Sequence, residues 1–124
     1  MALKQHQLPI DTHLTYFATE FLEEKGYQFS ELLFNHDPQI DAIITTDSLL
    51  AEGVCDYISK HQLTVPVLSF DSVNPRLDLV AYVDINSLEL GRVSFETILQ
   101  IINDAKNNKQ ICYRQLIGHK IIEK

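Results

Sequence analysis

Asp41-Ala-Ile-Ile-Thr-Thr-Asp47, followed by Ser48-Leu-Leu-Ala-Glu-Gly53, is the stretch that decides the fold. The β-branched run from Ile43 to Thr46 has the composition of a buried strand. Asp47 or Ser48 then offers a side-chain oxygen to cap the helix that follows. That helix runs from Ser48 to His61, with Leu50, Val54, Tyr57 and Ile58 on one stripe and Ala51 and Cys55 beside it. Val65-Pro-Val-Leu-Ser-Phe70 reads as a second strand, ended by Asp71-Ser72. Strand, amphipathic helix and strand make a βαβ unit, whose strands point the same way. Both strands therefore finish, each with an aspartate, at one edge of one sheet. In open α/β sheets small ligands bind beyond that edge. The expected fold class is α/β, a parallel sheet between two helical layers.

Outward from this unit, Met1 to Leu8 reads as the last turns of a helix that Pro9 stops. His13 to Ala18 is a candidate strand with Leu14, Tyr16 and Ala18 on one face. A helix through Phe29, Leu32 and Leu33 ends ahead of Asp37-Pro38, because proline disfavours helix in the residue before it. On the other side, Asp71 to Arg76 is a loop and Leu79 to Val83 a further strand. Asn86 or Ser87 caps a long helix to about Asn107, with Glu89 as its N3 carboxylate if Asn86 is the cap. Leu90, Val93, Ile98, Ile101, Ile102 and Ala105 form a wide apolar stripe there, broadened by Leu88, Phe95 and Leu99. Such a helix expects neighbours on more than one side. A last strand is expected from Ile111 to Ile117, bounded by Gly118.

The bulk numbers exclude several classes. The chain has 124 residues, 45% of them hydrophobic, which is one domain's worth of core. Its formal charge of −7, with Lys and Arg scattered, repels phosphate and makes this segment a poor nucleic-acid binder. Cys55 and Cys112 lie far apart without a CxxC pairing, so two buried free thiols are expected. No apolar run approaches a membrane span and no signal peptide is read, which implies a soluble cytoplasmic protein. His6, His13, His36, His61 and His119 are dispersed, so no metal and no cofactor are expected. No phosphate-cradling glycine loop or nucleophile elbow occurs, and no histidine is placed by sequence as a base for Ser69. Nothing argues for an enzyme.

The set Asp41 to Gly53, Val65-Pro66, Ser69-Phe70-Asp71 and Leu90-Gly91 resembles the C-terminal part of the LacI–GalR family of sugar-responsive repressors. Order and spacing agree over nearly the whole chain, and the last half is most similar to maltose-operon repressors of Gram-positive bacteria. The resemblance implies a periplasmic-binding-protein-like domain that senses a sugar, maltose or maltodextrin, and dimerises to control carbohydrate-utilisation genes. It implies that residues 1–80 and 111–118 form the C-terminal subdomain, and that 86–107 is a crossover helix belonging with the N-terminal one. The DNA-binding headpiece, that other subdomain and one site arginine would lie upstream of Met1. DNA would then be reached only through a headpiece outside this chain. The helix from Ser48 to His61 and the loop after Asp71 are implied as the homodimer surface.

By the same resemblance Asp71, at the place of the aspartate in the family's Gly-Phe-Asp, reaches the effector, where a carboxylate accepts hydrogen bonds from sugar hydroxyls or base amino groups. A strand-end turn cap explains it otherwise. Asp47 matches the family's Asn-Asp junction, and helix capping alone accounts for it. Thr46 replaces the asparagine of that junction and offers one shorter-reaching hydroxyl. Phe21 matches an aromatic that lies against the ligand ring in some members, and is equally a core Phe at a helix start. Asn86 lies at the crossover, where Val80-Ala-Tyr-Val83 departs from the family's Leu-Thr-Thr-Val. It lines the cleft or caps the long helix. Two rivals from other classes are a sugar-binding transport component of the same fold and a small response-regulator-like or enzymatic α/β domain. The latter would need an acidic cluster at the first strand end or a base near Ser69.

Overall fold

The computed structural model describes residues 2–71, 77–109 and 112–123. In chain order the elements are helix α1 (Ala2–Gln5), a 3-10 turn (Thr12–Leu14), helix α2 (Glu23–His36), strand β1 (Ile43–Thr45) and helix α3 (Ser48–Lys60). Strands β2 (Val67–Ser69) and β3 (Ala81–Asp84), helix α4 (Ser87–Lys106) and strand β4 (Lys120–Glu123) follow. The four strands lie in the order β1-β2-β3-β4. The first three are parallel, with Ile43 opposite Val67 and Ser69 opposite Tyr82, whereas β4 runs antiparallel to β3 with Lys120 opposite Asp84. The expected parallel sheet is thus a mostly parallel one.

The βαβ unit forms as its residues dictate. Ile43 and Thr45 point to one face of β1, Val67 and Ser69 to the same face of β2, and all four are buried. Ala51 and Val54 of α3 close over Ile43, Val67 and Leu79 to make the core. Leu79 belongs to this core but precedes the ladder, so β3 starts two residues later than its composition implies. The opposite face carries Ile44, Leu68, Phe70, Ala81 and Val83, by alternation along the registered strands. Ile44 stays 67% exposed there, so a second helical layer does not cover this face at β1 among the described residues.

Helix α2 lies against α3 at very short range. A Cβ placed on Gly53 would come within 1.9 Å of the Glu23 carbonyl oxygen, and one on Gly26 within 2.2 Å of that of Leu50. Only glycine permits this approach of two backbones. Ser30, fully buried one turn on, satisfies its hydroxyl by donating to the Gly26 carbonyl at 2.9 Å. Farther along the seam Tyr57 stacks on Phe34 and meets Tyr27 edge-on, at ring separations of 5.6 and 5.1 Å. Tyr57 is therefore interior, and with Leu50, Ala51 and Val54 it gives the inner face of the 48–61 helix to this chain's own core. What α3 leaves outward is Leu49 and a charged stretch where Lys60 bridges Asp56 at 2.8 Å.

Several expectations need correcting. Residues 13–18 do not form a strand: Asp11 accepts the His13 N–H at 2.8 Å and turns the backbone into the 3-10 helix. Tyr16 then stacks on Phe29 at 5.3 Å, so its apolar side chain is used against α2 without any ladder. Helix α2 begins at Glu23, taking in the segment ahead of Phe29, and ends at His36 as Asp37-Pro38 requires. The final strand is displaced. Residues 112–119 are irregular and β4 begins at Lys120, because the pairing partner on β3 meets 120–123. Neither cysteine is buried: Cys55 is half-buried on α3 and Cys112 exposed outside any strand, both as free thiols. Residues 72–76, which hold the loop after Asp71, and Ile111 lie outside the described residues.

The short glycine contact has a direct consequence. Gly53→Ala should cost about 1–3 kcal/mol as the helices are forced apart, read as a fall of several degrees in Tm. An equally stable variant would contradict the contact. A thiol reagent should label Cys112 well before Cys55; equal rates would contradict their difference in exposure.

Candidate functional site

The carboxyl edge of the sheet gathers the candidate residues because three parallel strands end there in sequence. β1 hands over to Thr46 and Asp47, β2 to Phe70 and Asp71, and β3 to Ile85 and Asn86. The Phe70 N–H donates to the Thr45 carbonyl at 3.0 Å, so the ends of β1 and β2 stay paired to the last residue. Neighbouring strands lie roughly 4.8 Å apart, which puts Thr46 and Asp47 one strand from Asp71. The short contacts of Glu23 with Gly53 and of Gly26 with Leu50 place the first turns of α2 and α3 side by side. Both helices hence start at this edge, and Phe21, two residues ahead of α2, is carried to it with 58% of its surface exposed.

Each side chain has a local cause. Asp47 caps α3: its Oδ1 accepts the Leu50 N–H at 3.0 Å, while Oδ2 lies 3.5 Å from the Thr46 hydroxyl. The capping role read from the sequence is present, and one carboxylate oxygen faces Thr46. Asp71 is half-buried and held in a tight turn. The Ser69 hydroxyl donates to its carbonyl oxygen at 2.5 Å and accepts its N–H at 3.3 Å. Ser69 is thus a buried turn-former, 1% exposed, which answers the question of a nucleophile in structural terms. Its role was missed by sequence reasoning, though a serine two residues before a strand-end aspartate is the signal of a side-chain-closed turn.

Asn86 differs from its expected role. It occupies the N-cap position of α4 with φ 53 and ψ 54, left-handed, and its side chain makes no capping hydrogen bond. Instead the Asp84 carboxylate accepts the Asn86 N–H at 2.8 Å, and that closed turn drives Asn86 into a conformation asparagine tolerates. Glu89 does not complete a capping box either. Arg92 draws it away at 2.5–2.8 Å while also reaching Glu96 at 2.6 Å. The carboxylate pair holds the Arg92 guanidinium far above its ordinary range, and Arg92 in turn lowers Glu89.

Phe70 is the second feature missed. It projects from the end of β2 with 56% of its surface exposed, in the wall of a groove of about 420 Å³ lined also by Val83, Ile85, Leu90, Leu116, Ile117 and His119. The edge therefore combines one hydroxyl, two carboxylates, an exposed amide and two exposed aromatic rings. Acceptors beside an aromatic face suit a polyhydroxylated ring with hydroxyls at its rim and C–H groups on its faces. No group of three or more His, Cys, Asp or Glu that could hold a metal occurs among the described residues. None of the helices described is long and apolar enough to cross a membrane.

The chain is 81% identical over 123 residues, 99% of its length, to the HTH-type transcriptional regulator MalR from each of two strains of Streptococcus pneumoniae. It spans 38% of the length of these curated relatives. No family model matches it, and no solved structure gives a significant match. The resemblance to a transcriptional regulator is borne out, and these relatives are regulators rather than enzymes.

The cap is separable from ligand contact. Asp47→Ala should destabilise the chain by about 1 kcal/mol and Asp47→Ser should restore most of it. Equal stability of all three proteins by chemical denaturation would contradict the capping role.

Proposed function

We propose that this chain is the effector-sensing and dimerisation part of a LacI–GalR-type repressor, with maltose or a maltodextrin as effector and carbohydrate-utilisation genes as target. The observation that carries this reading is the 81% identity to a helix-turn-helix regulator over 99% of the chain. The resemblance adds the site: Asp71, Thr46 and Asp47 as polar contacts, Phe21 as a stacking face and Asn86 at the cleft rim. The structure supports it by bringing the first three to adjacent strand ends and leaving Phe21 exposed nearby. DNA is contacted through a headpiece in the remainder of the longer protein, and sugar binding shifts the equilibrium between two arrangements of the subdomains that carry it.

In this reading residues 1–80 and the return of the chain into the sheet belong to one subdomain, and 86–107 to the other. Two features support the division. α4 has no substantial packing against another helix or strand among the described residues. Its Leu88 and Phe95 stand 87% and 63% exposed. An apolar helix so placed is stable only when something covers it, and the other subdomain is the cover proposed. The same subdomain chain supplies the second layer of a three-layer periplasmic-binding-protein-like fold. Dimerisation uses the outward side of the Ser48–His61 helix, at Leu49, together with the loop after Asp71.

Titrating maltose calorimetrically into the full-length protein tests the assignment. Saturable heat is expected, with Asp71→Ala weakening the affinity roughly 10- to 100-fold through a lost charge-assisted hydrogen bond. Binding of maltose unchanged in the variant would reject the strand-edge site, and no heat with maltose or maltodextrins would reject the effector.

A further inference from the structure

Asp104 is the one buried residue of α4, 5% exposed on a helix that otherwise shows its apolar face to solvent. A carboxylate removed from water destabilises a fold unless donors meet it. Here the Tyr113 hydroxyl donates to Oδ2, and the Gln100 amide nitrogen lies 3.4 and 3.5 Å from the two oxygens. The backbone of Asp104 works at the same place. Its carbonyl accepts the N–H groups of Asn107 at 3.0 Å and Lys109 at 2.8 Å, and Asn108 turns left-handed with φ 54. One residue thus ends the helix and grips the segment that returns from it.

Packing does not explain why that return segment follows α4. Between them runs an open groove of about 300 Å³, lined by Leu90, Val93, Thr97 and Ile98 on the helix and by Gln115 and Ile117 opposite. The two limbs are joined instead at their ends. At the far end stands the Asp104–Tyr113 contact, and at the near end β4 pairs with β3 while Asp84 holds Asn86 where α4 begins.

We propose that Asp104 and Tyr113 form a latch that fixes residues 112–119 to α4, so that helix and return segment move as one arm about the joint at Asp84–Asn86. With the latch closed, a displacement of α4 is handed to β4 and so to β3, whose end borders the candidate site. With it open, the return segment is free of the helix and the displacement is lost in the slack. The hydrogen bond to the carboxylate also holds the Tyr113 phenol above its ordinary pKa, because ionising the phenol would lose that bond, with removal from water and the nearby negative charge adding to the shift.

Hydrogen exchange on the full-length protein, read by mass spectrometry, tests the latch with two variants. Tyr113→Phe removes only the hydroxyl and should speed exchange of the hydrogen-bonded amides that flank the return segment, 107–109 at the end of α4 and 120–123 in β4, at least roughly tenfold, leaving α3, β1 and β2 unchanged. Asp104→Asn keeps an oxygen that accepts from Tyr113 and should stay within about threefold of the parent, the difference expected for a neutral acceptor in place of a charged one. Parent-like exchange in Tyr113→Phe, faster exchange spread over the whole domain, or an Asp104→Asn protein as open as Tyr113→Phe would each overturn the proposal.

Discussion

Parallel pairing of β1 with β2 is the constraint from which the arrangement follows. Parallel neighbours cannot be joined by a tight turn, so the chain must travel back along a helix before the second strand begins. α3 is that helix, and Ala51 and Val54 fasten it to Ile43 and Val67. Because its start has to sit where β1 ends, Asp47 serves at once as strand terminator and helix cap. α2 can only join this layer by lying on α3, and Gly26 and Gly53 let it approach until backbone nearly touches backbone. The edge where strands finish thereby also becomes the edge where both helices start, and polar groups from separate stretches of sequence meet there.

The βαβ unit was legible because local chemistry and tertiary demand agree in it. β-branched residues, a capping aspartate and a helical apolar stripe all specify the same result between Asp41 and Phe70. Legibility failed where a segment's structure depends on a neighbour. The alternation around Leu14 and Tyr16 and that around Tyr113 and Ile117 both read as strand, yet a strand exists only if an edge is there to pair with it. Tyr16 found Phe29 and Tyr113 found Asp104 instead. The left-handed Asn86 was hidden for a different reason: the residue that imposes it is Asp84, two positions earlier, and the pattern of a capping box ahead of Glu89 competed for the same residues. At the site, Asp47 and Asp71 were legible as strand ends, whereas the turn-forming role of Ser69 and the exposure of Phe70 appear only with the backbone in place.

The distribution of apolar surface links this fold to its proposed role. The covered face of the sheet is closed by α3 and α2. The other face keeps Ile44 and Phe70 in solvent, and α4 shows most of its stripe outward. Large uncovered apolar surface of this kind marks a site of association. Both uncovered regions lie outside the βαβ unit's own core, and the chain spans 38% of the relatives' length. In the proposed reading a second lobe would cover both regions and would meet the sheet at the edge that holds the candidate site.

Hydroxyl-radical footprinting of α4 tests that claim most directly, comparing this chain at concentrations where it is monomeric with the full-length protein. Phe95, Ile98 and Ile102 should be readily oxidised in the chain alone and protected in the longer protein. Equal oxidation in both would contradict it, because the apolar face of α4 would then have no cover and no part in a two-lobed sensor.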